Sequence, residues 1–108
     1  MEEDFRNERR SVTYEFQDLK VDLDFYRIVR GSRTIDMGPT ETRLLCILME
    51  QPDRIFTREE LFRLLWPDGR DRRLRNVDVY VGRLRRRLNR RGTTSLIRTI
   101  RTVGYSLH

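Results

Sequence analysis

Histidine, cysteine and lysine are almost missing from this sequence: each occurs once, as His108, Cys46 and Lys20, among 108 residues. A single cysteine rules out an intrachain disulfide. With the sole histidine at position 108, no Cys/His metal cluster can form either. No histidine stands ready to activate Cys46 or a serine, and neither a P-loop nor a GxGxxG motif occurs. The inventory therefore points away from an enzyme: no catalytic residue, no metal and no cofactor is expected. Long apolar runs are missing too. Nothing approaches the roughly 18 consecutive apolar residues of a spanning helix. The acidic start Met1-Glu2-Glu3-Asp4 lacks the apolar stretch of a secretory signal. A cytoplasmic address with no membrane partner is expected.

Acidic residues are scarce in one half only. Residues 1–60 hold 10 basic and 14 acidic groups, a balance of −4, whereas residues 61–108 hold 13 basic and 3 acidic groups, a balance of +10. A codon preference for arginine over lysine accounts for the choice of base, but not for the disappearance of acids from the second half. A basic half on a near-neutral scaffold is the electrostatic footprint of a polyanion binder.

Periodicity organises what is there. Residues 1–12 are charged and carry little apolar pattern, as in a tail or linker remnant, which leaves one domain over residues 13–108. From Val12 to Met37 a β-rich, weakly alternating stretch is broken near Asp18, Asp24 and Gly31-Ser32, which suits three or four short antiparallel strands. At Gly38-Pro39-Thr40-Glu41 the period changes. Proline fits the first helical turn and Glu41 the positive end of the helix dipole, so a helix carrying Leu44, Leu45, Ile47 and Leu48 follows, ending near Gln51-Pro52. Cys46 within it reads as a packed thiol. Thr57-Arg58-Glu59-Glu60 is a capping box that opens a second helix, stopped by Pro67.

The third helix, expected from near Arg72 to a stop at Gly92, is the most informative. Leu74, Val77, Val81, Leu84 and Leu88 step by 3, 4, 3 and 4 into one apolar stripe. The opposite face holds Arg72, Arg75, Asn76, Val79, Gly82, Arg83 and Arg86. Arginine pairs bidentately with guanine, asparagine with adenine, and an aliphatic side chain meets a thymine methyl. Gly82 costs about 1 kcal/mol relative to alanine in mid-helix. It lies away from the core stripe, where close approach of another backbone would account for it. The second and third helices form a helix-turn-helix with a long turn. The chain then closes in a β-hairpin that places Arg98, Thr99, Arg101 and Thr102 at or near its tip, where a narrow minor groove would attract arginine.

Five separated segments carry a more specific signal. Met37-Gly38-Pro39-Thr40-Glu41 with Leu44-Leu45, Arg54-Ile55-Phe56-Thr57-Arg58-Glu59-Glu60-Leu61, Trp66, Asn76-Val77-Asp78-Val79-Tyr80-Val81-Gly82-Arg83-Leu84-Arg85 and Ile97-Arg98-Thr99-Ile100-Arg101-Thr102-Val103-Gly104-Tyr105 occur in this order. They resemble successive signatures of the OmpR/PhoB family of response regulators, the PhoB branch in particular. The resemblance implies an α+β winged helix-turn-helix: an N-terminal four-stranded antiparallel sheet, three helices and a C-terminal β-hairpin wing. It implies sequence-specific binding of double-stranded DNA, and transcriptional regulation as the output domain of a two-component system. It also implies two copies bound head to tail on direct-repeat half-sites. Arg75, Asn76, Tyr80, Arg83 and Arg85 would contact bases or backbone, Thr99, Arg101 and Tyr105 would serve the wing, and Trp66 would sit near the phosphates. The loop Pro67, Asp68, Gly69, Arg70 and Asp71 would face RNA polymerase at its sigma subunit. This chain departs from the family pattern in that loop, at Arg73-Leu74 where an acidic pair is common, at Asn76 for threonine, and at Thr102 for glycine. No phosphate-accepting receiver domain is present in the 108 residues, as expected of an isolated effector piece or a lone effector protein.

A protein-interaction module is the rival reading, since winged helices also bind proteins. RNA is a weaker one, because the basic face lacks the stacking aromatics of single-strand readers.

Overall fold

The computed structural model describes residues 13–69, 73–89 and 95–108. The tail over residues 1–12, the loop positions Arg70, Asp71 and Arg72, and the helix stop at Gly92 lie outside the described residues. The chain divides into two compact units between Ile35 and Asp36.

The first unit is a four-stranded antiparallel meander of β1 (Thr13–Phe16), β2 (Leu19–Asp22), β3 (Arg27–Arg30) and β4 (Arg33–Ile35), ordered β1-β2-β3-β4. Alternation sorts its faces: Leu19, Val21, Ile28 and Ile35 are buried while Lys20, Arg27 and Thr34 are exposed. The breaks at Asp18, Asp24 and Gly31-Ser32 are the three turns. Gly31, at φ 62°, takes the left-handed conformation of the β3–β4 turn, and its amide donates to the Asp18 carbonyl at 2.8 Å.

The second unit holds α1 (Pro39–Glu50), β5 (Phe56–Thr57), α2 (Arg58–Leu65), α3 (Arg75–Leu88), β6 (Ile97–Ile100) and β7 (Gly104–Leu107). Pro39 stands in the first turn of α1, as expected. The capping box on α2 is complete: the Glu60 amide donates to Thr57 Oγ1 at 3.0 Å and the Thr57 amide donates to Glu60 Oε1 at 2.9 Å. Leu44, Leu45, Leu48, Leu61, Leu65, Val77, Val81, Leu84, Leu88, Ile97 and Leu107 form its core. Cys46 is buried, and its thiol is pushed up to about 11 by that burial and by the nearby Glu50 carboxylate.

Two features differ from the sequence reading. β5 was not expected. Its two residues pair antiparallel with Tyr105 and Gly104, making a three-stranded sheet of order β5-β7-β6. The third helix begins at Arg75 rather than near Arg72, and it ends at Leu88, with Asn89 already extended, rather than running to Gly92. A tight turn precedes it, in which the amides of Asn76 and Val77 donate to the carbonyls of Arg73 and Leu74 at 2.9 and 3.0 Å. Leu74 is accordingly half-buried, while the other four members of the stripe are fully buried.

Candidate nucleic-acid interface

The surface of α3 resolves into three sectors beside its core stripe, at 100° per residue. One sector, carrying Asp78 and Arg85, faces the terminal hairpin. Arg85 Nη2 donates to the Ile97 carbonyl at 2.9 Å and to Thr99 Oγ1 at 2.6 Å. The second sector holds Arg75, Val79, Gly82 and Arg86. Three of these are exposed, Val79 at 39 %, and Gly82 is half-exposed. The third holds Asn76, Tyr80, Arg83 and Arg87. Here the Tyr80 ring lies 5.7 Å from the Trp66 ring, and the Arg83 guanidinium sits 4.9 Å over Tyr80. Arg83, Arg86 and Arg87 line a cleft together with Glu41.

The residues singled out from sequence therefore divide into open and occupied groups. Arg75, Val79, Arg83, Arg86, Arg98, Arg101 and Thr102 are exposed. Arg85 and Thr99 are joined to each other. Trp66, only 9 % exposed, packs between Phe62, at 5.6 Å between ring centroids, and Tyr80. Tyr105, also 9 % exposed, donates its hydroxyl to Asp78 Oδ1 at 2.6 Å. In the loop after α2, Gly69 adopts φ 64° and its amide donates to the Trp66 carbonyl at 2.9 Å, while Pro67 and Asp68 are exposed.

Asp78 is the residue that sequence reasoning missed. Arg58, the first residue of α2, grips it with two bonds, Nε to Oδ1 at 3.0 Å and Nη2 to Oδ2 at 2.6 Å. Burial opposes the charge on Asp78. The hydrogen bonds from Arg58 and Tyr105 outweigh it and hold the carboxyl below its ordinary range. The same hydrogen bond raises the pKa of Arg58. Burial, then the bond to Asp78, pushes the Tyr105 hydroxyl up to about 12. A signal was available: Asp78 is the one acid between Arg75 and Leu88, amid five arginines. It also stands in the first turn, where a negative charge suits the helix dipole.

The hairpin turn spans Ile100 to Val103, whose amide donates to the Ile100 carbonyl at 2.9 Å. Thr102 sits at its third position with φ 61°, the sign a type II turn requires there.

Residues 32–107 match the family model for the C-terminal region of transcriptional regulatory proteins, "Transcriptional regulatory protein, C terminal". The chain belongs to that family. Its type is OmpR/PhoB, as the sequence motifs suggest: the chain is 46 % identical over 92 residues to the phosphate regulon transcriptional regulatory protein PhoB of Rhizobium meliloti, covering 83 % of this chain and 40 % of that protein. It is 36 % identical over 93 residues to the transcriptional regulatory protein SrrA of Staphylococcus aureus, covering 84 % of this chain and 39 % of that protein. The effector domain thus spans about two-fifths of the length of these curated relatives. Among solved structures, the DNA-binding domain of AdeR in complex with an intercistronic region superimposes with a TM-score of 0.77 at 28 % identity, covering 87 % of this chain and 96 % of that one. The Klebsiella pneumoniae RstA DNA-binding domain in complex with the RstA box gives 0.74 at 27 %, covering 88 % and 95 %. The expected α+β winged helix-turn-helix is borne out by this likeness and by the order of elements: four antiparallel strands, three helices among the described residues, and a terminal hairpin.

Proposed function

We propose that this effector domain reads double-stranded DNA in a sequence-specific manner and so regulates transcription as the output of a two-component response regulator. The observation that carries the proposal is the open strip Arg75–Val79–Gly82–Arg86 on α3, flanked on one side by Arg83 and on the other by a hairpin with Arg98 and Arg101 exposed. The strip offers bidentate donors and an aliphatic contact at helical spacing, on a helix whose core stripe is already satisfied. α3 enters the major groove and the hairpin turn reaches an adjacent minor groove or backbone. The DNA complexes of the AdeR and RstA domains, which this chain resembles over nearly nine-tenths of its length, support the assignment.

Asn76 and Arg87 border the strip. Arg85, Thr99 and Tyr105 act by holding helix and hairpin together rather than as free donors, and Trp66 supports Tyr80 and Arg83 from beneath. Two copies bind head to tail on direct-repeat half-sites about one helical turn apart. The loop from Pro67 through Asp71 faces RNA polymerase.

The test is fluorescence anisotropy with random and site-selected duplex DNA at two salt concentrations. A reader of this kind loses affinity with a log–log slope of about −0.9 per phosphate neutralised, and prefers the selected duplex. Salt-insensitive binding would instead favour a protein-docking role for the same face, and equal binding to both duplexes would remove the sequence-specific part of the reading.

A further inference from the structure

Asp78 occupies a position that the proposed function does not explain. It stands on the recognition helix of a polyanion-binding surface, carries negative charge, and is tied to two other elements at once. Arg58 brings the start of α2 to it through two bonds, and Tyr105 brings β7 to it through one of 2.6 Å. One turn and three residues further along α3, Arg85 reaches β6 at Thr99 and Ile97. The hairpin is thereby fastened to α3 at two levels, one per strand. Between them Asp78, Tyr105, Thr99, Thr102 and Val103 line a common cleft.

We propose that Asp78 is a positioning residue that fixes the hairpin turn at the reach needed to engage its groove while α3 is in the major groove. The inference rests on the two-groove reading above. Its physical basis is order. A free hairpin must lose conformational freedom on binding, whereas one already fastened to the helix does not. A carboxylate suits this purpose on a basic surface because it accepts from Arg58 and Tyr105 together, at short charge-assisted distances. An asparagine in its place keeps one acceptor oxygen but no charge, and its amide nitrogen is a donor facing donors.

The experiment uses this chain and two duplexes carrying the same selected site. One extends beneath the hairpin turn. The other ends before the groove that the turn would reach. The unaltered protein should prefer the longer duplex. Asp78→Asn and Tyr105→Phe should each weaken binding to the longer duplex about tenfold and leave the shorter one within about twofold of the parent. Tyr105→Phe is the gentler variant, since it removes one hydroxyl and keeps the Arg58 pair; thermal melting of both variants checks their folding. Equal losses on both duplexes would show a merely structural role and overturn the proposal. So would loss with Asp78→Asn but not with Tyr105→Phe, which would place the effect of Asp78 elsewhere than in its bond to the hairpin. If the unaltered protein binds both duplexes alike, the two-groove reading fails and the inference with it. If it prefers the longer duplex and both variants keep that preference, only the inference falls.

Discussion

Gly104 lies against Phe56 so closely that a Cβ on it would overlap the Phe56 carbonyl oxygen, with Thr57 Cα also inside contact distance. The pairing of β5 with β7 depends on this approach. Gly104→Ala must push the strands apart or twist one of them. It should destabilise the domain by roughly 1–3 kcal/mol or more, as overpacking does. Urea unfolding measures this directly, and a variant as stable as its parent would show that β5 can give way.

Gly82 is the opposite case. A Cβ there meets nothing nearer than Arg86 Nη1 at 3.9 Å, so the domain's own packing does not call for glycine. Gly82→Leu should leave stability unchanged or raise it by about 0.5–1 kcal/mol, because leucine is the better helix former. DNA affinity should nevertheless fall, since the side chain would project from the open strip into the groove. Normal affinity in a stably folded Gly82→Leu variant would remove the close-approach argument.

Thr102 adopts φ 61°, a conformation that β-branched residues avoid and that costs L-residues roughly 1–2 kcal/mol. Its hydroxyl donates to the Arg101 carbonyl at 2.6 Å, which offsets little of that. Thr102→Gly should raise stability by about 0.5–1 kcal/mol after allowing for the greater freedom of glycine in the unfolded chain. A lower midpoint on thermal or urea unfolding would mean that the threonine contributes more to the turn than its backbone strain removes.

Much of this architecture was legible because its determinants are local. Pro39, the Thr57–Glu60 box and Pro67 mark helix boundaries through groups within a turn of each other, and the stripe on α3 follows from periodicity alone. β5 was not legible. Two residues show no alternation, and Thr57 is simultaneously the cap of α2. The site was legible as a face but not as sectors. Periodicity shows that Arg85 is off the core stripe. It does not show that the hairpin, 12 and 14 residues away, takes up its guanidinium. In the same way, Asp78 and Tyr105 are 27 residues apart, and only the fold brings the acid and the hydroxyl together.

The Asp78–Tyr105 bond should also appear in the pH dependence of stability. Tyr105 has its folded pKa raised to about 12 by burial and by Asp78, from an ordinary 10.0. A raised pKa means that the folded state holds its proton more tightly than the unfolded state. The corresponding stability is fully present below pH 10 and is lost as pH rises from about 10 through about 12. Cys46, raised from 9.0 to about 11, adds a loss that begins lower. Tyr105→Phe should flatten the upper part of the alkaline decline and leave the part due to Cys46. An identical decline in parent and variant, followed by urea unfolding at stepped pH, would show that Tyr105 is not held protonated by its surroundings.

Arg101 provides the sharpest separation of hairpin from helix. It is exposed at the second position of the turn, beside the strained Thr102 and the 42 % exposed Val103. Its guanidinium is planar and permanently charged, so a narrow minor groove would hold it well. The donor and acceptor pattern of that groove is degenerate, so Arg101 can sense A/T richness and groove width but little else. Arg86, on the open strip of α3, faces the major groove in the proposed arrangement and has no access to the flank. Arg101→Ala should therefore weaken binding to a site with an A/T-rich flank more than to the same site with a G/C-rich flank. Arg86→Ala should lose about 1–3 kcal/mol on both. A plain phosphate contact by Arg101 would instead give the same loss on either flank. In that case the hairpin is an electrostatic clamp, and sequence is read by α3 alone.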